Sequence, residues 1–225
     1  GGGTDHSTLS RVTLSGERFV GGGFAGQVYK VQVLDRAGPA IPGLVIGDRY
    51  ALKVLIPPSG FSLFFRNALY AVGFQGPFQL QTNPAAARSG AIWQKFIRRA
   101  AAARFGDELS VNDVHATFVD HALGSCGEIS NWVDGRTWRL EVNDRMDLMD
   151  KWERGKPIET AFLGSPEYRA KKTFMNGFVK LLDELGAYEF ARQYEWTTWK
   201  SQPNCLKRTC TNDNPENGLT AVDFR

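Results

Sequence analysis

Residues 20–30, V-G-G-G-F-A-G-Q-V-Y-K, set three adjacent glycines and a fourth three residues on ahead of Val28 and Tyr29. Gly21, Gly23 and Gly26 meet the pattern G-x-G-x-x-G, with Val28 two residues later. Glycines without Cβ let backbone amides approach a phosphate closely, but they also make a flexible hairpin tip. The flanks decide how the stretch is read. R-V-T-L-S-G-E-R-F-V (residues 11–20) and Q-V-Y-K-V-Q-V-L (27–34) both alternate as strands do, so the glycines join strand to strand. A dinucleotide-binding or Walker loop needs a helix after its glycines, and both are disfavoured here.

Working outward, Y-A-L-K-V-L-I (50–56) supplies a third strand, and the Gly- and Pro-rich residues 35–48 read as a long hairpin connection. Residues 62–72 and 85–104 are rich in Ala, Leu and Arg at helical spacing, and Asn83-Pro84 suits an N-cap and first helical position. Two more strands follow, at residues 115–123 and 126–133, which makes five strands with helices inserted after the third. Beyond Gly135 the chain reads as mainly helical. Ser165-Pro166-Glu167 starts a helix whose apolar face is Phe174, Phe178, Leu181, Leu182 and Leu185, ending at Gly186. Two short strands, 204–208 and 219–224, flank the polar loop T-C-T-N-D-N-P-E-N, whose composition is that of a turn.

The 225 residues, 42% hydrophobic and 12% aromatic, are enough for one or two packed domains. With 27 Lys and Arg against 24 Asp and Glu, the net charge of +3 gives no reason to expect nucleic acid or a membrane as a partner. No apolar run is long enough to span a bilayer and no secretion signal is present, so a soluble, cytoplasmic protein is expected. Residues 1–10, opening G-G-G, read as an expression scar or tail. Cys126, Cys205 and Cys210 form no C-x-x-C pair, and His6, His115 and His121 lack metal spacing, so reduced thiols and ordinary imidazoles are expected.

A strand–glycine loop–strand unit followed by a lysine in the third strand resembles the protein-kinase-like superfamily, and Ala51-Leu52-Lys53 supplies that lysine. Downstream, S-Q-P-N-C-L places Asn204 before a strand and A-V-D-F-R places Asp223 and Phe224 after the next, the positions of the metal-binding asparagine and of D-F-G. The resemblance runs from Arg11 to Arg225 with its four motifs in order. It implies an α+β, two-lobed fold: an N-lobe at 11–134 with a helical insertion at 59–106, and a partial, mainly helical C-lobe at 135–225. ATP and magnesium are the implied cofactors. Gly21, Gly23, Phe24, Ala25, Gly26, Val28 and Ala51 would line the nucleotide, and Lys53 would meet its α- and β-phosphates. Backbone groups of Asn131 and Val133, in the hinge S-N-W-V-D-G, would face the adenine. Asn204 and Asp223 would hold the metal, Asp223 and Lys53 being the catalytic pair.

Three departures leave the activity open. Trp199 stands five residues before Asn204, where the catalytic aspartate belongs, with Glu195 and Lys200 the nearest charges. No Asp or Glu lies between Lys53 and Gly106, so the helix glutamate that pairs with the lysine is replaced by Gln94, by Glu108 or by another acid. Arg225 replaces the D-F-G glycine, at the point where a complete kinase would continue. The expectations are therefore an atypical phosphotransferase with an unassigned acceptor, a pseudokinase that binds nucleotide or a partner protein, or an α+β domain whose motif matches are accidental.

Overall fold

The structure is a computed structural model that describes residues 9–23, 26–55, 83–122, 124–136, 165–195, 204–209 and 211–223. The chain forms two compact units: Gly1–Arg99 with Asn112–Val133 and Phe224–Arg225, and Ala100–Val111 with Asp134–Asp223. The expected helix at residues 62–72 falls outside the described residues, as does most of the expected insertion before residue 83.

In the first unit β1 (Arg11–Gly23), β2 (Gly26–Ala37), β3 (Arg49–Leu55), β4 (Val114–Asp120) and β5 (Ser125–Asn131) make one sheet in the order β1-β2-β3-β5-β4, every neighbouring pair antiparallel. Alternation sorts their side chains onto two faces. On one face Val31, Val33, Tyr50 and Ile129 are buried, and Leu44 from the 38–48 connection closes over them. Tyr50 holds that connection down: its Oη donates to the Gly43 carbonyl at 2.9 Å and accepts from the Val45 amide at 2.8 Å. The Gly- and Pro-rich segment is thus an ordered cover for the core as well as a connection. The opposite face carries Val28, Ala51, Lys53, Leu55, Cys126, Glu128 and Ser130, and there Ala87 packs with Leu55 and Cys126.

Ala87 belongs to α1 (Pro84–Phe105). Asn83 caps it as expected, its Oδ1 accepting the Ala86 amide at 2.8 Å. Ala87, Ala91, Gln94, Ile97 and Ala101, at helical spacing, form its buried stripe.

In the second unit α2 (Pro166–Glu184) starts at Ser165, whose side chain accepts the Tyr168 amide at 3.1 Å. Phe178, Leu181 and Leu182 are buried as their spacing requires, while Tyr168, Lys171 and Met175 extend the stripe toward the N-terminus. α3 (Tyr188–Tyr194) follows, and Tyr194 meets Phe178 edge-on with ring centroids 4.9 Å apart. A three-stranded antiparallel sheet, β6 (Gly135–Arg136), β7 (Cys205–Arg208) and β8 (Leu219–Ala221), completes this unit. Sequence reading expected β7 and β8 but neither β6 nor α3. Two residues carry no alternation, and seven are too few to establish a helical period. Among the described residues no helix is long and apolar enough to cross a membrane.

Candidate functional site

The glycine-rich stretch is the end of the β1–β2 hairpin. Pairing runs through Gly21 with Val28 and Gly22 with Gln27 to Gly23 with Gly26; Phe24 and Ala25 lie outside the described residues. Gly26 passes so close to β3 that a Cβ there would collide with the Val54 carbonyl oxygen, so a close approach of backbones requires this glycine.

Register then lines up the expected site residues. Gly21 pairs with Val28, Val28 with Lys53, Lys53 with Glu128, and Glu128 with Thr117, a continuous row across all five strands on one face of the sheet. Ala51 lies in the next row on that face, beside Lys30 and Ser130. Directly opposed Cβ atoms in an antiparallel pair are about 5 Å apart, so Lys53 and Glu128 leave the sheet as immediate neighbours. Both are buried, with Lys53 6% and Glu128 7% exposed. Two opposite charges at that burial are tolerable only as partners of one another or of other polar groups.

Register sets an acid, Glu128, directly opposite Lys53. Gln94 is buried; its Nε2 donates to the Asn112 carbonyl at 2.8 Å, and its Oε1, the acceptor a lysine would use, has no hydrogen-bond partner among the described residues. Glu108 is exposed in the turn after α1. The acid opposite the lysine comes from the strand two positions along. Its sequence signal was the alternation of C-G-E-I-S-N, which puts Glu128 on the same face as buried Cys126 and Ser130. A Cβ at the next residue, Gly127, would strike the Lys53 carbonyl oxygen, so β3 and β5 close tightly just where the two charges face each other.

The expected hinge is partly committed already. The Asn131 amide donates to the Asp113 carbonyl at 2.9 Å, its carbonyl accepts from Asn112 Nδ2 at 3.2 Å, and its Oδ1 lies 2.6 Å from His115 Nε2. A carbonyl oxygen has a second lone pair, so Asn131 keeps one acceptor for a ligand and no backbone donor. Val133 makes no backbone hydrogen bond among the described residues. Beside it, the Lys30 ammonium lies 4.6 Å from the centre of the Trp132 ring.

In the second unit Asn204 and Asp223 stand at the same end of the β7–β8 hairpin, because the Val222 amide donates to the Asn204 carbonyl at 2.9 Å and extends the ladder by one pair. Asn204 Nδ2 donates to the Gln193 carbonyl at 3.3 Å, which leaves its amide oxygen as the remaining acceptor. Asp223 is the only non-glycine with positive φ among the described residues, at +66°. Three bonds hold the residues before it: Thr220 Oγ1 to the Leu109 carbonyl at 2.7 Å, the Ala221 amide to the Ser110 carbonyl at 2.8 Å, and Tyr194 Oη to the Val222 carbonyl at 3.0 Å. Such anchoring is what lets a strained backbone persist. An amide oxygen and a carboxylate are hard donors that suit magnesium. Among the described residues no three His, Cys, Asp or Glu side chains converge as a metal cluster. Trp199, Lys200, Phe224 and Arg225 lie outside the described residues, and Glu195 is exposed just after α3.

Two charged arrangements in this unit were not foreseen. Lys171, 1% exposed, meets Glu167 at 2.9 Å and the Arg136 carbonyl at 3.3 Å, and hydrogen bonding from Arg136, reinforced by Lys171, holds the Glu167 carboxyl down to about 2. The polar loop read as a plain turn is gathered around Lys207, whose Nζ donates to the carbonyls of Asn214 at 2.6 Å, Asn212 at 3.4 Å and Asn217. Burial lowers the pKa of that ammonium. A cavity of about 720 Å³, walled by Phe105, Thr173, Phe174, Arg208 and Asn217 among others, contains none of the expected site residues.

No protein-family model matches the chain, and no curated protein matches it.

Proposed function

We propose that the chain is a kinase-like module that binds ATP with magnesium and acts as an atypical phosphotransferase. The observation that carries this reading is the row from Gly21 through Val28 to Lys53 and Glu128, a lysine and a glutamate both buried and directly opposed in register on the face that leads to a glycine hairpin. In a phosphoryl-transfer site the lysine meets the α- and β-phosphates and an acid fixes its ammonium, so Glu128 takes the positioning role that the helix leaves unfilled. In the first unit, backbone groups of Gly21, Gly22, Gly23 and Gly26 would serve the phosphates and Val133 the adenine; in the second, Asn204 with Asp223 would hold the magnesium. Strain at Asp223 supports its assignment, since residues held at unfavourable φ cluster at functional sites.

A second reading, a pseudokinase that binds nucleotide without turnover, is favoured by Trp199 at the place of the catalytic base. Thermal melts with ATP and magnesium test both. Nucleotide raises the melting temperature of the parent and raises it less in Lys53→Ala and Asp223→Ala. A parent that shows no shift overturns both readings. ADP release then separates turnover from binding, and turnover that survives Asp223→Ala removes the metal assignment.

A further inference from the structure

The outward face of α1 belongs to neither reading. Opposite its buried stripe, Arg88, Ile92, Phe96 and Arg99 follow one another along the solvent side, with Trp93 at the edge. Ile92 is 44% exposed, Trp93 40% and Phe96 49%, and the two aromatic rings meet edge-on with centroids 5.9 Å apart. Arg88 and Arg99 are exposed and make no ion pair among the described residues, while Lys95 and Arg98 reach Asp113 only at 3.9 and 3.8 Å. From Val54 to Gly106 the chain contains no Asp or Glu. A net charge of +3 conceals this local excess.

From this face we infer a docking site for an anionic lipid surface. A helix with Trp, Phe and Ile on one stripe and arginines beside them lies in the plane of a bilayer interface, its rings among the upper acyl chains and its guanidinium groups at the headgroup phosphates. Arginine suits the flanks, because its apolar stem can run along the membrane while its head stays at the phosphates. Arg88 and Arg99 are eleven residues apart, about 16 Å along the axis, so they bracket the apolar patch. A second copy of the chain is the poorer occupant, since self-association through this stripe would set arginines against arginines.

The test is co-sedimentation of the full chain with phosphatidylcholine vesicles, with and without about 30% phosphatidylserine. The chain binds the serine-containing vesicles and releases them in high salt, while neutral vesicles retain little of it. Arg88→Gln with Arg99→Gln weakens binding about 30-fold, and Ile92→Ser with Phe96→Ser weakens it at least about 10-fold. All four side chains are exposed, so the arginine variant melts at the parent value, and the Ile92→Ser with Phe96→Ser variant, which also loses the ring contact with Trp93, stays folded and melts a few degrees lower at most. Absence of binding by the parent, equal binding to both vesicle types, or variants that bind like the parent each overturn the inference. So does a dimer in light scattering that Phe96→Ser dissolves while the parent ignores vesicles, which would assign the face to a second copy.

Discussion

Removing the charge of Glu128 while keeping its shape, as in Glu128→Gln, leaves the Lys53 ammonium buried beside a neutral amide. With both residues more than nine-tenths buried and directly opposed in register, the loss follows the rule for a broken buried ion pair, about 3 kcal/mol. Lys53→Met strands the carboxylate and costs about the same. The double variant leaves no charge without its partner, so it costs no more than either single, about 3 kcal/mol, and the coupling between the sites is about 3 kcal/mol. In a chain of 225 residues each single lowers the melting temperature by about 9 °C. Guanidinium denaturation followed by circular dichroism and by fluorescence gives the four free energies, provided the two probes report one transition. Additivity within about 0.5 kcal/mol would show that the two charges act independently, and the reasoning from register to pairing would fail.

Acid is the second perturbation. The Glu167 carboxyl is held at about 2 against an ordinary 4.5, so its ion pairs stabilise the fold fully above pH 4.5 and the contribution disappears as pH falls from there toward 2. After allowance for solvent screening this is about 1–2 kcal/mol; Glu167→Gln abolishes that acid-dependent loss in urea titrations at pH 6 and pH 3, and an unchanged pH slope counts against the Arg136–Glu167–Lys171 cluster. Asp223→Gly keeps the backbone free to hold φ +66° but removes the carboxylate, so it abolishes the magnesium-dependent part of any nucleotide shift in melting temperature, and a variant that keeps that part takes Asp223 out of the metal site. Cys205 is fully buried and burial pushes its thiol up to about 12, so a thiol reagent labels it only after denaturant is added; modification of Cys205 in the native protein contradicts its buried place on β7 opposite Ala221.

Much of the first unit could be read from the sequence because its signals are local. Alternation in residues 27–34 and 50–56 determines which side chains share a face, and Asn83-Pro84 sets the start of α1. Lys53 could be found from its distance to the glycines. Its partner could not be found by looking for a helical acid, because the pairing of Glu128 with Lys53 depends on the register of β3 with β5, and register is a property of two strands together. The committed backbone of Asn131 was hidden for the same reason: its amide and carbonyl are used by Asp113 and Asn112, which come from the segment before β4. β6 exists only because β7 offers it an edge, and no pattern within Gly135 and Arg136 could announce it.

The loop around Lys207 has a consequence of its own. Carbonyl oxygens turned toward a common centre are how proteins commonly solvate a bound ion, and here the ion is tethered to the chain. The β7–β8 hairpin therefore carries its counter-charge as part of its sequence. The cation at the centre of this loop is covalently part of β7, so dilution cannot remove it as it removes a bound ion.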